Sequence, residues 1–127
     1  MEADMIDINK LEEGVLIEAN DFNMGIRQLI SDITVQYCHI DQVEIYKLAC
    51  NVIGSLVIQN YVSVIKTQYK CEQEDLYAPI SSADLPKKEL DLFLTQPEKW
   101  DEMGVFSKTE PIELRITEKG RDYLSTL

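Results

Sequence analysis

Apolar residues recur at helical spacing in the segment that follows Asp21. They are Ile26, Leu29, Ile30, Ile33 and Tyr37, and most residues between them are polar. In an α-helix this spacing places the apolar side chains on one face, so the pattern predicts an amphipathic helix. The preceding residues 14–17, Gly-Val-Leu-Ile, indicate either a short strand or a lead-in segment.

A second helix is predicted from Asp41 to about Tyr61. Asp41 is followed three residues later by Glu44, a spacing typical of a capping box with Asp as the N-cap. The apolar positions cover almost the whole circumference, which indicates a helix in the centre of the fold. They are Val43, Ile45, Tyr46, Leu48, Ala49, Cys50, Val52, Ile53, Leu56, Val57 and Ile58. The β-branched residues from Val52 onward leave open that the last third is a strand.

Residues 61–80 predict a β-hairpin with an acidic turn. Apolar and polar residues alternate loosely up to Lys70, and the run Glu72-Gln73-Glu74-Asp75 separates them from a second apolar stretch. Loose alternation on both sides of a polar run is typical of two paired strands.

Two short helices are expected next. Residues 81–84 supply N-cap chemistry, Pro86 falls in a first helical turn, and Leu90, Phe93 and Leu94 form an apolar stripe. Residues 95–97, Thr-Gln-Pro, end this helix and permit another one through Trp100 to Gly104.

The remaining residues predict a strand pair and a last helix. Residues 104–106 indicate the start of a strand and residues 107–111 a turn. Ile112, Leu114 and Ile116 form one face of a returning strand. Thr117 then caps a helix that carries Tyr123, Leu124 and Leu127.

This segment resembles the wing and final helix of the bacterial winged-helix family. The residues that carry the resemblance are Trp-Asp-Glu-Met-Gly-Val-Phe at 100–106 and Ile-Glu-Leu-Arg-Ile-Thr-Glu-Lys-Gly-Arg-Asp-Tyr-Leu at 112–124. The resemblance implies a three-helix core with a hairpin, often used to bind DNA and frequently dimeric. It places the helix that enters the major groove at residues 97–103, where Glu98, Asp101 and Glu102 stand against Lys99 alone. Groove-reading helices normally present Arg, Lys, Asn or Gln.

The expected fold is therefore α+β: a helical core with a small antiparallel β-hairpin or wing, winged-helix-like. The length of 127 residues is that of one domain, which is expected to span residues 1–127. Residues 1–20 form an acidic N-terminal segment whose degree of order the sequence leaves open.

Charge gives the clearest indication of partners. The formal net charge is −11, and residues 1–25 hold seven acidic residues against Lys10 alone. Such a field repels phosphate backbones and anionic lipid and attracts basic proteins. The expected partner is a basic protein, such as a toxin domain, rather than DNA. We expect no membrane association. The sequence leaves open whether the protein forms a homodimer.

Catalytic and metal-binding patterns are not found in the sequence. Cys38, Cys50 and Cys71 are widely spaced in apolar stretches, which favours reduced thiols in a cytoplasmic protein. The single histidine, His39, is expected in the loop before Asp41, without the third group that a Cys-His nucleophile needs. We therefore expect no enzyme activity, no cofactor and no metal site.

Three groups of residues are the candidate partner-binding sites. They are Glu12, Glu13, Glu18 and Asp21; Glu72, Glu74 and Asp75; and Trp100, Asp101 and Glu102. Acidic side chains steer a basic partner, and Trp100 with Phe106 would serve as aromatic anchors. The alternative for these two aromatic residues is ordinary core packing.

Size and charge resemble those of immunity proteins and antitoxins that block nuclease toxins. The expected function is accordingly a non-enzymatic module that neutralises a basic partner. The alternative is a winged-helix transcriptional regulator that binds duplex DNA. Its basic residues would be Lys87, Lys88, Lys99, Lys108 and Arg115.

Overall fold

The computed structural model describes residues 6–74 and 76–127. Within these residues the helices are α1 (Ile8–Asp21), α2 (Ile26–Gln36), α3 (Gln42–Ile58), α4 (Lys87–Thr95) and α5 (Glu118–Leu124), with a 3-10 helix at Pro97–Lys99. The strands are β1 (Met24–Gly25), β2 (Val62–Gln73), β3 (Leu76–Asp84) and β4 (Ile112–Ile116). The predicted α+β class is confirmed. No helix in the described ranges is long and apolar enough to cross a membrane.

Helix α1 replaces the strand or lead-in segment predicted for residues 14–17. Asp7 caps the helix by accepting a hydrogen bond from the Lys10 backbone N–H at 3.1 Å. The buried residues Leu11, Val15, Leu16 and Ala19 form one stripe. The local prediction was wrong because three apolar residues in a row after Gly14 do not show the helical period that the longer segment has. Most of the predicted acidic segment 1–20 is thus helical from Ile8 onward, and residues 1–5 lie outside the described ranges.

The second and third helices agree with the sequence. Asp41 accepts a hydrogen bond from the Glu44 N–H at 2.9 Å, which confirms the predicted N-cap. The buried residues of α3 are Ile45, Leu48, Ala49, Cys50, Val52, Ile53 and Leu56. The segment stays helical through Ile58, so the strand alternative for its last third is wrong.

The strands in the described part of the chain form one antiparallel sheet in the order β1-β4-β2-β3. The predicted hairpin is confirmed as β2 and β3, which pair from Ile65 with Asp84 to Gln73 with Leu76. Strand β4 lies between β2 and β1: Val62 pairs with Ile116, and Leu114 pairs with Met24. Ile112, Leu114 and Ile116 are buried in the helical core, as their predicted common face requires.

Three predictions between β3 and β4 are corrected. Residues 81–84 belong to β3, so Pro86 rather than one of them is the N-cap of α4. Residues 100–106 form turns, and the helical part is limited to the 3-10 helix Pro97–Lys99. The predicted strand start at residues 104–106 is absent from this described segment, because β4 takes its partners from β2 and β1. The predicted groove-reading helix at residues 97–103 is consequently wrong.

Helix α5 is attached where α3 gives way to β2. The Thr117 hydroxyl accepts a hydrogen bond from the Gly120 N–H at 3.0 Å, which confirms the predicted cap, and donates to the Asn60 carbonyl at 2.6 Å. The Thr117 N–H donates to the Tyr61 carbonyl at 3.0 Å. Gly120 passes so close to this carbonyl that a Cβ atom would overlap its oxygen. The Tyr61 and Tyr123 rings stack with centroids 4.6 Å apart.

Candidate partner-binding site

The residues of the first predicted group lie on α1 and face two different parts of the structure. Glu12 accepts a hydrogen bond at 3.5 Å from Gln59, the C-cap of α3, and Glu13 is half-buried. Glu18 and Asp21 instead line a cavity of about 390 Å³ between the end of α1 and the start of α2. The structure therefore keeps Glu18 and Asp21 together and turns Glu12 toward α3.

We call this region the acidic cleft: Glu18, Asp21, Phe22, Gln28 and Asp32. Phe22 and Gln28 line the cavity with Glu18 and Asp21. Asp32 lies on α2 one turn beyond Gln28, whose side-chain N–H donates to Asp32 at 2.9 Å. Glu18 thus shares the cavity with Asp21 and lies next to Asp32.

The carboxyl group of Glu18 lies in an unfavourable environment for a charge. Burial, the nearby charge of Asp32 and a hydrogen bond to Asp32 raise the pKa of Glu18 above its ordinary value. Its Oε2 atom is buried and has no hydrogen-bond partner among the described residues. In the same ranges, no Lys or Arg nitrogen lies within ion-pair distance of Glu18, Asp21 or Asp32. Within residues 6–74 and 76–127, no Lys or Arg side chain neutralises this cluster.

Phe22 places an exposed aromatic ring beside these carboxyl groups. Its side chain is 81% exposed. Continuation of the α1 stripe, with Leu11, Val15 and Ala19, would have buried it, but the helix ends at Asp21 and Phe22 is extended. Sequence reasoning missed Phe22 for this reason. The signal was the polar run around it, Asn-Asp-Phe-Asn at residues 20–23, which is typical of a chain leaving a helix.

The second predicted group lies at the tip of the β2–β3 hairpin. Glu72 and Glu74 are exposed there, and Asp75 lies outside the described residues. No hydrogen bond or ion pair of the Glu72 and Glu74 side chains occurs in the described part of the chain. These two residues are solvated surface charges.

The third predicted group is split by burial. Trp100 is fully buried, donates from Nε1 to the Phe93 carbonyl at 2.8 Å, and stacks on the Phe93 ring at 5.0 Å. The prediction of Trp100 as a binding anchor was therefore wrong, and its core-packing alternative is confirmed. Phe106 is partly buried, with the Arg27 guanidinium 5.4 Å from its ring centre. Asp101 and Glu102 remain exposed.

Asp101 contributes to a separate surface cavity of about 490 Å³. The wall on the α3 side is formed by Gln42, Val43, Tyr46 and Lys47, and the other wall by Pro97, Glu98 and Asp101. Lys47 forms an exposed ion pair with Glu44 at 3.9 Å. This groove is mixed in charge, in contrast to the acidic cleft.

The cysteines and the histidine occupy different environments. Cys38 and Cys71 are exposed thiols, and His39 lies in the connection between α2 and α3, as predicted. Cys50 is buried and donates from its thiol to the Leu94 carbonyl at 2.9 Å. Burial, with a smaller contribution from the charge of Glu98, raises the pKa of Cys50 to about 11. In the described ranges no group of three or more His, Cys, Asp or Glu side chains is arranged to hold a metal ion.

Comparisons with known proteins do not place the chain in a family. Searches of protein-family models, of curated proteins and of solved structures found no match to it.

Proposed function

We propose that this protein is a non-enzymatic binding module that neutralises a basic protein partner through the acidic cleft. The observation that carries the proposal is the carboxyl pair of Glu18 and Asp32. It is partly desolvated and has no cationic partner among the described residues. A Lys or Arg side chain of a partner would supply the missing positive charge.

The whole molecule and the cleft favour the same kind of partner. The net charge of −11 would speed the encounter with a basic surface at low salt. The exposed ring of Phe22 offers apolar area beside the carboxyl groups. Aromatic residues are enriched at the centres of protein interfaces.

An inhibitor of a nucleic-acid-processing toxin fits this chemistry. The basic groove that a nuclease uses to hold phosphates would be covered by the acidic cleft, and the substrate would be excluded. The protein would then act as an immunity protein or antitoxin in the cytoplasm of a bacterial cell. Neutralisation needs contact and charge complementarity but no catalytic group.

The test compares two charge-matched double variants in affinity capture from the source cell, with nuclease-treated lysate. Glu18→Gln with Asp32→Asn removes two carboxylates from the cleft, and Glu72→Gln with Glu74→Gln removes two from the hairpin tip. We expect a basic protein to be captured by the wild type and the tip variant and lost with the cleft variant. A Phe22→Ala variant should also weaken capture, by about 10-fold or more if Phe22 is a hot spot. Equal capture by both double variants would refute the cleft as the binding site.

Duplex DNA binding is the second candidate, and the α2–α3 pair favours it. The two helices are joined by the short connection 37–41, as in a helix-turn-helix, and α3 exposes Gln42, Lys47 and Asn51. The basic residues expected to support DNA binding are spread over several elements, and Arg115 is paired with Asp84 at 3.1 Å. Salt-sensitive retardation of duplex DNA that is lost in Lys47→Ala would favour this candidate. No retardation at low salt would remove it.

A further inference from the structure

The face of the sheet opposite the helical core contains two buried polar side chains. In β2, Val62 and Val64 pack in the helical core, and because side chains alternate along a strand, Ile65 and Thr67 point the other way. Glu113 of β4 pairs with Ile65 and shares that face. Thr67 is 2% exposed and Glu113 is 6% exposed. A polar residue buried on this scale is normally fully hydrogen-bonded.

Glu113 is not fully hydrogen-bonded. The Tyr69 hydroxyl donates to its Oε2 atom at 2.6 Å. Its Oε1 atom and the Thr67 hydroxyl oxygen are buried and have no hydrogen-bond partner in the described ranges. Burial, the hydrogen bond to Glu113 and the charge of Glu113 together raise the pKa of Tyr69 to about 12, so Tyr69 remains a hydrogen-bond donor at neutral pH.

Glu113 lines a cavity of about 370 Å³ with two tyrosines. The other lining residues are Tyr69, Tyr77, Lys108 and Pro111. Cavities of this size accept small ligands or single side chains. Among the described residues, neither Lys108 nor any other basic residue lies within ion-pair distance of Glu113. Glu113 thus lines the cavity while its Oε1 atom, shielded from solvent, has no donor among the described residues.

We propose that this cavity binds a primary ammonium group. The Glu113 side chain would turn its Oε1 atom toward the cavity and accept a hydrogen bond from the ammonium. The alkyl chain of the ligand would lie against the rings of Tyr69 and Tyr77. A carboxylate gives a strong charge-assisted hydrogen bond, and tyrosine faces attract cations. The ammonium could belong to a free amine or to a lysine side chain of another protein. This site is distinct from the acidic cleft and does not depend on the function proposed for the cleft.

The test titrates the wild-type protein with n-butylamine near neutral pH and low salt and follows backbone amide shifts by NMR. The neutral n-butanol, similar in size, is the ligand control. We expect saturable shifts at Tyr69, Tyr77, Lys108 and Glu113 with the amine and none with the alcohol. Because this measurement uses the wild type, it does not depend on a variant that folds. No saturable shift, or shifts confined to other residues, would overturn the proposal.

Two charge-matched variants test the role of the carboxylate. Glu113→Gln should weaken amine binding by about 10-fold or more, the loss of one charge-assisted hydrogen bond. Glu110→Gln removes an equal charge from the exposed turn before β4 and should leave the affinity within about 2-fold of wild type. Equal affinity of the two variants would overturn the proposal.

A second ligand distinguishes a protein lysine from a free amine as the source of the ammonium group. Tighter binding of Nα-acetyl-lysine methylamide than of butylamine would identify a protein lysine as the occupant. Tighter binding of butylamine would identify a free amine. The Glu18→Gln, Asp32→Asn variant should bind both ligands as the wild type does. The proposal for the acidic cleft and the proposal for the cavity can therefore be refuted independently.

Discussion

Replacing Gly120 by alanine should destabilise the fold strongly, although alanine is the better helix former. The added Cβ atom would overlap the Tyr61 carbonyl oxygen and lie 2.9 Å from the Ile116 Cγ1 atom. The first contact is with backbone, which cannot rotate away as a side-chain end could. The same carbonyl accepts the Thr117 N–H, so moving α5 outward would also stretch that hydrogen bond.

The magnitude follows from these two effects. Overpacking of this kind costs about 1–3 kcal/mol, and a weakened hydrogen bond adds about 1 kcal/mol. The higher helix propensity of alanine offsets up to about 1 kcal/mol. The net loss for Gly120→Ala should be about 1–3 kcal/mol, a fall in Tm of roughly 4–12 °C for a chain of this size.

Gly14 provides a matched control in the same assay. It lies inside α1 and is exposed, and a Cβ atom added there would have no neighbouring atom within 4 Å. Gly14→Ala should therefore stabilise the protein by about 0.5–1 kcal/mol. Thermal and urea unfolding of both variants, followed by circular dichroism, shows directly whether each substitution raises or lowers the stability. A Gly120→Ala protein as stable as wild type, or equal shifts in both variants, would refute the close contact.

Three further predictions concern single side chains. The pKa of Glu18 is raised in the folded state, so protonated Glu18 stabilises the fold at low pH and this stabilisation is lost as the pH rises. Glu18→Gln should therefore stabilise the protein by about 0.5–1 kcal/mol at about pH 7. This advantage should be lost near pH 4. A pH-independent difference in urea unfolding would contradict this. Iodoacetamide should label Cys38 and Cys71 quickly at about pH 8 and spare Cys50 until unfolding, as read by mass spectrometry. Trp100→Phe should cost about 1–3 kcal/mol in urea unfolding, and wild-type Trp100 should show blue-shifted fluorescence; a solvent-exposed spectrum would disprove its burial.

The sequence predicted best those elements that are specified by nearby residues. Asp41 and Thr117 were correctly identified as caps because a cap acts on a backbone N–H three residues away. The hairpin of β2 and β3 was also predictable, since its strands are neighbours in the chain. Such local signals do not require knowledge of the rest of the fold.

Features that depend on distant partners could not be predicted. Strand β4 was expected to pair with residues 104–106, whereas it pairs with β1 and β2, which lie far earlier in the chain. Trp100 was misjudged because only the fold brings Phe93 and Tyr46 against it. The acidic cleft was half predicted: Glu18 and Asp21 were named, but Asp32 comes from another helix and its proximity is a property of the packing.

The central position of β4 has a consequence for the order of folding. Strand β4, residues 112–116, lies between β1 and β2 in the sheet. Neither β1 nor β2 can therefore pair with β4 until almost all of the described chain has been synthesised. During synthesis on the ribosome, α1 to α3 can collapse while the edges of β1 and β2 remain unpaired and open to wrong partners. Pairing of β1 with β4 closes a long loop, which is a slow kind of contact to form. We therefore expect insertion of β4 to be a late step of folding.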